Sequence, residues 1–304
     1  MRRPAAIAAG ALAALLSAAA CAVHLAPYPT HMAMRRLALW RGGVKRVPAG
    51  SLLAYEKDSC RPGVPCRCVA LVHGLGDSAM TWDKTLLGKG GARLPPTGTL
   101  LLAVDMPGTD GSSAAADYGI RAQARLLRPA LEARCPEWTV VGNSLGGWIS
   151  AWLAVDWPQG VRQLVLVNAA GLNDPTGLAL QTARTLAEPT VPLLKEFSSR
   201  AYAKPPSVPE RAWVPAVASI RARPTREILA ALSLMDTLDL RLKDVRAETV
   251  IVWGRSDGVL PLGFAERFRR GITGARLDLI DGCGHLPQRE CPETVSRALF
   301  GAEL

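Results

Sequence analysis

The chain has 304 residues, 49% of them apolar and 20% charged, and a formal net charge of +10. This balance fits one large α/β domain or two small ones, and the lack of a fixed repeat period excludes a solenoid or a propeller. The Lys and Arg residues form no block interleaved with aromatics and no zinc-finger spacing occurs. This argues against a nucleic-acid partner and leaves a basic surface or attraction to an anionic membrane face.

The first 25 residues read as an export or anchoring segment. Arg2 and Arg3 supply a positive start, and an Ala/Leu-rich stretch without a charge follows over residues 4–23. Three outcomes fit this stretch. A signal peptidase could cut near Ala20, Cys21 could become a lipidated first residue, or the stretch could remain as an anchor, being close to the length that spans a bilayer. The lipidated reading departs from the usual pattern at Ala18, where Leu is common. All three place the folded part outside the cytoplasm, either membrane-bound or released. The cysteines agree with this. Besides Cys21 there are six, Cys60, Cys66, Cys68, Cys135, Cys283 and Cys291. An even number in an exported chain suggests disulfides, with fifteen pairings open to six cysteines. The spacing of Cys66 and Cys68 is too tight for the usual two-residue metal clamp, and no His lies near.

Beyond a linker over residues 26–46, short apolar runs alternate with amphipathic stretches. Strands are expected at 52–55, 69–72, 100–104, 139–141, 164–167, 250–253 and 277–280, with helices at 120–133 and 147–155 among others. Unbroken Val/Leu/Ile runs imply strands buried on both faces, as in a parallel sheet covered by helices on each side. Residues 173–246 break the rhythm. They are proline-rich, with helical stretches such as 225–235 and no convincing strand, and read as a helical cap inserted between two core strands. The core is then 47–172 together with 247–304. A cap over the strand ends commonly builds the substrate pocket.

Ligands of open α/β sheets bind beyond the carboxyl ends of the strands, so the residues following each apolar run carry the chemistry. Gly142-Asn143-Ser144-Leu145-Gly146 fits G-x-S-x-G between a strand and a helix, the bend that exposes a serine nucleophile at Ser144. A serine hydroxyl needs a base. Of the four histidines, His24 and His31 lie in the N-terminal region and His73 follows an early strand. Only His285 follows the serine in the order serine, acid, histidine. Asp257 is the expected acid, with Asp174 as the second candidate. Asp105 precedes the serine and reads as a loop-fixing residue. The oxyanion hole would take the Leu145 N–H and one N–H from His73-Gly74-Leu75-Gly76, at Leu75. His73 reads as a loop organiser.

Together, HGLGDSAMTW, DMPG, GNSLGG, LVNAAGL, VWGRSD and GCGH resemble the α/β-hydrolase superfamily from about residue 47 to the C-terminus. Two groups within it are most similar, the monoacylglycerol lipases and bacterial esterases, and the meta-cleavage-product C–C hydrolases. The C–C hydrolases usually carry Trp after the catalytic His, where this chain has Leu286. That departure and the export segment favour a small-molecule or lipid ester as substrate. A non-catalytic ligand-binding relative is the alternative of a different class. The resemblance implies an acyl-enzyme mechanism that needs no metal or organic cofactor. With the strand order usual in this fold, Cys68 could pair with Cys135, Cys283 with Cys291 around His285, and Cys60 with Cys66.

Overall fold

The computed structural model describes residues 26–301. One eight-stranded sheet organises it, built from β1 (Lys45–Ala49), β2 (Leu52–Asp58), β3 (Arg67–Val72), β4 (Thr99–Asp105), β5 (Trp138–Asn143), β6 (Val161–Val167), β7 (Glu248–Gly254) and β8 (Arg276–Ile280). The spatial order is β1-β2-β4-β3-β5-β6-β7-β8. β2 pairs antiparallel with both β1 and β4, and every later pairing is parallel. This is the α/β-hydrolase arrangement.

Alternate residues of the central strands feed two separate cores, which explains their unbroken apolar character. On one face Ala70, Val72, Leu102, Val140 and Leu166 pack against α3 (Ile120–Glu132), α4 (Leu145–Asp156) and α9 (Gly263–Gly271). On the other, Val69, Leu71, Val141 and Val165 pack with Leu39 of α1 (Pro27–Arg41), Leu86 of α2 (Asp83–Leu87) and Val295 of α11 (Pro292–Phe300). Between β6 and β7 the chain forms α5 (Leu178–Ala187), α6 (Val191–Ala201), α7 (Trp213–Arg221) and α8 (Thr225–Ala231), with no strand among them. The helix expected at 225–235 stops sooner, because Leu232 turns to an extended conformation before a short 3₁₀ turn at Leu234–Asp236. The indole N–H groups of Trp148 and Trp152 on α4 both donate to the Asp236 carbonyl, at 2.7 and 2.6 Å, tying this region to the core.

Residues 26–46 are not a linker. Most of them form α1, which starts with Pro27 in its first turn, where a missing N–H costs nothing. Leu39 anchors this helix in the core, and β1 begins at Lys45. The polar, arginine-rich sequence of α1 hides a single buried contact face. The stretch expected to direct export or anchoring lies outside the described residues. Three disulfides are formed, Cys60–Cys66, Cys68–Cys135 and Cys283–Cys291. Cys68 starts the buried part of β3 and Cys135 precedes β5, its parallel neighbour, so the second bridge clips the lower ends of adjacent strands.

Candidate active site

β5 runs directly into α4, and Ser144 is the hinge between them, with φ +55° and ψ −120°. A non-glycine residue at positive φ is strained and has to be held by its surroundings. Here the Ser144 N–H donates to the Val167 carbonyl at 3.1 Å, and the Ser144 carbonyl accepts from Ala170 at 3.0 Å and Gly147 at 2.9 Å. Both glycines of the elbow are sterically required. A Cβ on Gly142 would lie 2.2 Å from the Gly146 carbonyl oxygen, and one on Gly146 would lie 2.5 Å from the carbonyl oxygens of Val72 and His73.

His285 follows β8 and Asp257 follows β7. The His285 Nδ1 and Asp257 Oδ2 atoms are 2.9 Å apart, with both side chains almost fully buried. An acceptor carboxylate assigns the proton to Nδ1 and leaves the Nε2 lone pair free. The other Asp257 oxygen accepts the N–H groups of Val259 and Leu260, so the carboxylate is fixed from both ends. Close approach of the two loops depends on glycine, since a Cβ on Gly254 would meet the Gly284 carbonyl oxygen at 2.2 Å. The Cys283–Cys291 bridge brackets His285 in sequence. Its backbone N–H donates to Ala201 of α6 at 2.7 Å, which joins the histidine loop to the cap.

Gly74 brings the loop after β3 against the elbow, where a Cβ would lie 3.2 Å from the Ser144 Cβ. Leu75 and Leu145 both line the cavity with Ser144 and His285. Neither backbone N–H has an acceptor among the described residues. Unsatisfied N–H groups at a helix N-terminus and in a glycine-rich loop suit an oxygen carrying developing charge. His73 does not face this chemistry. Its Nδ1 is 2.8 Å from the Gly74 carbonyl oxygen and its Nε2 accepts the Met106 N–H at 3.1 Å. Burial lowers its pKa, so it is a neutral imidazole tying two loops. Asp105 accepts the Ala79 N–H at 2.8 Å and acts in the same loop network. Asp174 accepts the N–H groups of Thr176 and Ala179, and thus caps the turn that enters α5 rather than meeting His285.

Two residues of this network were not singled out in the sequence. Asn168, at φ +42°, donates from Nδ2 to Asp257 Oδ2 at 2.6 Å and accepts the Gly254 N–H at 3.1 Å. Asn143 donates to the carbonyls of Val167 and His285, both at 3.0 Å, and accepts from Gln288. Each is an amide at the buried end of a strand, and that unusual placement was the available signal.

The cavity in front of Ser144 has a volume of about 1040 Å³. Its walls come from α1, the loop at residues 74–78 and the helices between β6 and β7, with apolar surface from Leu172, Leu186, Leu194, Phe197 and Ile220. Tyr28, His31 and Met34 of α1 also contribute, so the N-terminal helix is part of the container.

Residues 69–298 match the model of the alpha/beta hydrolase family. Among characterised proteins, the chain is 26% identical over 271 residues to the 2-hydroxy-6-oxononadienedioate/2-hydroxy-6-oxononatrienedioate hydrolase 1 of Pseudomonas putida, covering 84% of this chain and 94% of that one. The corresponding hydrolase of Escherichia coli O139:H28 is 25% identical over 257 residues, covering 80% and 88%. Among solved structures, a membrane phospholipase A described as a bacterial virulence factor superposes with a TM-score of 0.76 at 22% identity, covering 95% of both chains. The 2-hydroxy-6-oxo-6-phenylhexa-2,4-dienoate hydrolase of Rhodococcus sp. strain RHA1 gives 0.70 at 19% identity, covering 84% and 96%. These two likenesses speak to the fold. The elbow, the carboxylate–imidazole pair and the match over most of the sequence lead to one conclusion: the chain belongs to the alpha/beta hydrolase family.

Proposed function

We propose that the protein is a serine hydrolase that cleaves carboxylic esters with an apolar acyl chain. The observation that carries this reading is the largely apolar cavity of about 1040 Å³ that ends at Ser144. A volume of this size accommodates a long acyl chain and holds it by burial. In this reading the Ser144 Oγ attacks the ester carbonyl as its proton passes to His285 Nε2, while the Leu75 and Leu145 N–H groups hold the oxyanion. Collapse breaks the ester C–O bond, and the proton moves from His285 to the departing alcohol. Water then gives a proton to His285 and attacks the acyl-enzyme, and collapse returns that proton to Ser144 as the acid leaves. The three disulfides support placing this activity outside the cytoplasm.

The test is turnover of p-nitrophenyl esters from butyrate to laurate, together with labelling by a fluorophosphonate. Wild type is expected to hydrolyse the longer chains and to be labelled, and Ser144→Ala to do neither. Ester turnover by the Ser144→Ala variant equal to wild type rejects the mechanism. C–C hydrolysis on the same residues is the second reading, favoured by the sequence similarity to the Pseudomonas putida hydrolase. Cleavage of a vinylogous diketone acid without ester cleavage would establish it.

A further inference from the structure

One side of the cavity contains polar groups that neither the triad nor the apolar walls use. Arg289 lies four residues after His285, on the short helix α10 (Pro287–Glu290). It lines the cavity and is partly buried. Its backbone carbonyl accepts the Lys84 ammonium at 2.6 Å, but its side chain has no hydrogen bond or salt bridge among the described residues. Neighbouring cations are engaged. Arg35 bonds Asp83 at 2.6 Å, and Arg223 bonds the Gly76 carbonyl and lies 3.8 Å from Asp110. The Tyr202 hydroxyl is likewise without a hydrogen-bond partner, lines the same cavity, and interacts electrostatically with Arg289.

A partly buried guanidinium that faces a cavity with its donors unused gains from a ligand that satisfies them. Its planar set of N–H donors matches the paired oxygens of a carboxylate or phosphate. Asp77, also in the cavity wall, partly balances this charge. Among the described residues its carboxylate accepts the Ser78 N–H and forms no salt bridge with Arg289, yet the two charges attract. His31 lines the same cavity, and burial, then Arg35 and Arg289, lower its pKa.

We propose that the Arg289 guanidinium and the Tyr202 hydroxyl form an anion-binding subsite for a carboxylate or phosphate group carried by the substrate. This rests on the serine-hydrolase reading for its place in turnover, and on the cavity alone for binding. The substrate is then amphiphilic, with an apolar chain against the cap and an anionic group at Arg289.

The test uses paired esters differing only in the anion. One pair is p-nitrophenyl hexanoate and the p-nitrophenyl monoester of adipic acid. The other is butyrylglycerol and butyryl glycerophosphate. The readout is the ratio of kcat/KM for the charged to the neutral member. Arg289→Met lowers at least one ratio by about 10- to 100-fold, Tyr202→Phe lowers the same ratio by less, and Arg289→Lys recovers part of it. A fall in the first pair alone identifies a carboxylate, and in the second alone a phosphate. Unchanged ratios in both pairs overturn the proposal, as does an equal fall on charged and neutral esters, which marks a structural role. A binding arm uses calorimetric titration of the Ser144→Ala protein with monomethyl adipate and with glycerophosphate. Adding Arg289→Met weakens at least one by a similar factor. Equal affinities, or no binding of either anion, overturn the subsite. If wild type resists the fluorophosphonate, the serine-hydrolase reading fails while this arm still decides the subsite.

Discussion

Asn168 Nδ2 and His285 Nδ1 meet the same oxygen of Asp257, Oδ2, at 2.6 and 2.9 Å. The asparagine therefore fixes the acceptor on which the orientation of the imidazole depends. Because Asn168 also accepts the Gly254 N–H, it holds the end of β7, where the Asp257 loop begins. Asn168→Ala should lower kcat by roughly tenfold with a smaller effect on KM, as expected for a group that positions another rather than binding substrate. Steady-state kinetics on one ester check this, and an effect confined to KM would contradict it.

Asp257 and Asp174 were both candidates for the acid. Only Asp257 touches His285, whereas Asp174 caps the turn into α5. Asp257→Asn is expected to reduce kcat by about 10⁴, since the amide favours the wrong imidazole tautomer. Asp174→Asn should act on thermal stability instead. A large kcat loss in the Asp174 variant alone would reverse the assignment.

Asp105 carries a pH dependence of stability. Burial is the main reason its pKa is raised to about 7, partly countered by the Ala79 N–H and by Arg46. The folded state therefore binds a proton that the unfolded state has released, between the ordinary carboxyl range and about pH 7. Stability contributed by this group falls as pH rises through that window and levels off above it. Asp105→Asn keeps an acceptor for Ala79 and removes the titration. Its melting temperature should decline less than that of wild type between about pH 5 and 8. Parallel curves would contradict this.

The disulfides separate stability from catalysis. Cys68–Cys135 spans 67 residues and Cys283–Cys291 spans 8. Loop-closure entropy makes the first worth about 4 kcal/mol and the second about 2.5 kcal/mol. Replacing Cys68 and Cys135 by Ala should therefore cost more in melting temperature. Replacing Cys283 and Cys291 should cost more in kcat, because their loop holds His285. Equal kcat losses in the two double variants would refute the distinction.

Much of this was legible because parallel strands and the elbow leave local marks. Runs such as 69–72 and 164–167 are buried on both faces, and G-x-S-x-G needs both glycines for steric reasons visible in a short window. Leu75 and Leu145, the expected oxyanion donors, could be named because that expectation follows from the elbow and the neighbouring glycine loop, and both line the cavity. What stayed hidden depends on partners distant in sequence. Asn168 meets Asp257 across 89 positions and Asn143 meets His285 across 142. β1 is short and contains Pro48, so only its pairing with β2 defines it. Helix α1 lacks a clear apolar stripe and is recognisable only from what it covers.

That covering role changes what the N-terminal region is for. Tyr28 bonds Ser219 on α7 at 3.0 Å, Arg35 bonds Asp83, and Tyr28, His31 and Met34 all face the cavity. A shortened protein that starts after Arg41, the obvious choice for easier expression, would keep Ser144, Asp257 and His285 and lose a wall of the cavity in front of Ser144. Assayed in that form, the enzyme would report a leakier and broader specificity than the full chain possesses. The trimming point would decide which substrate the assay ranks first.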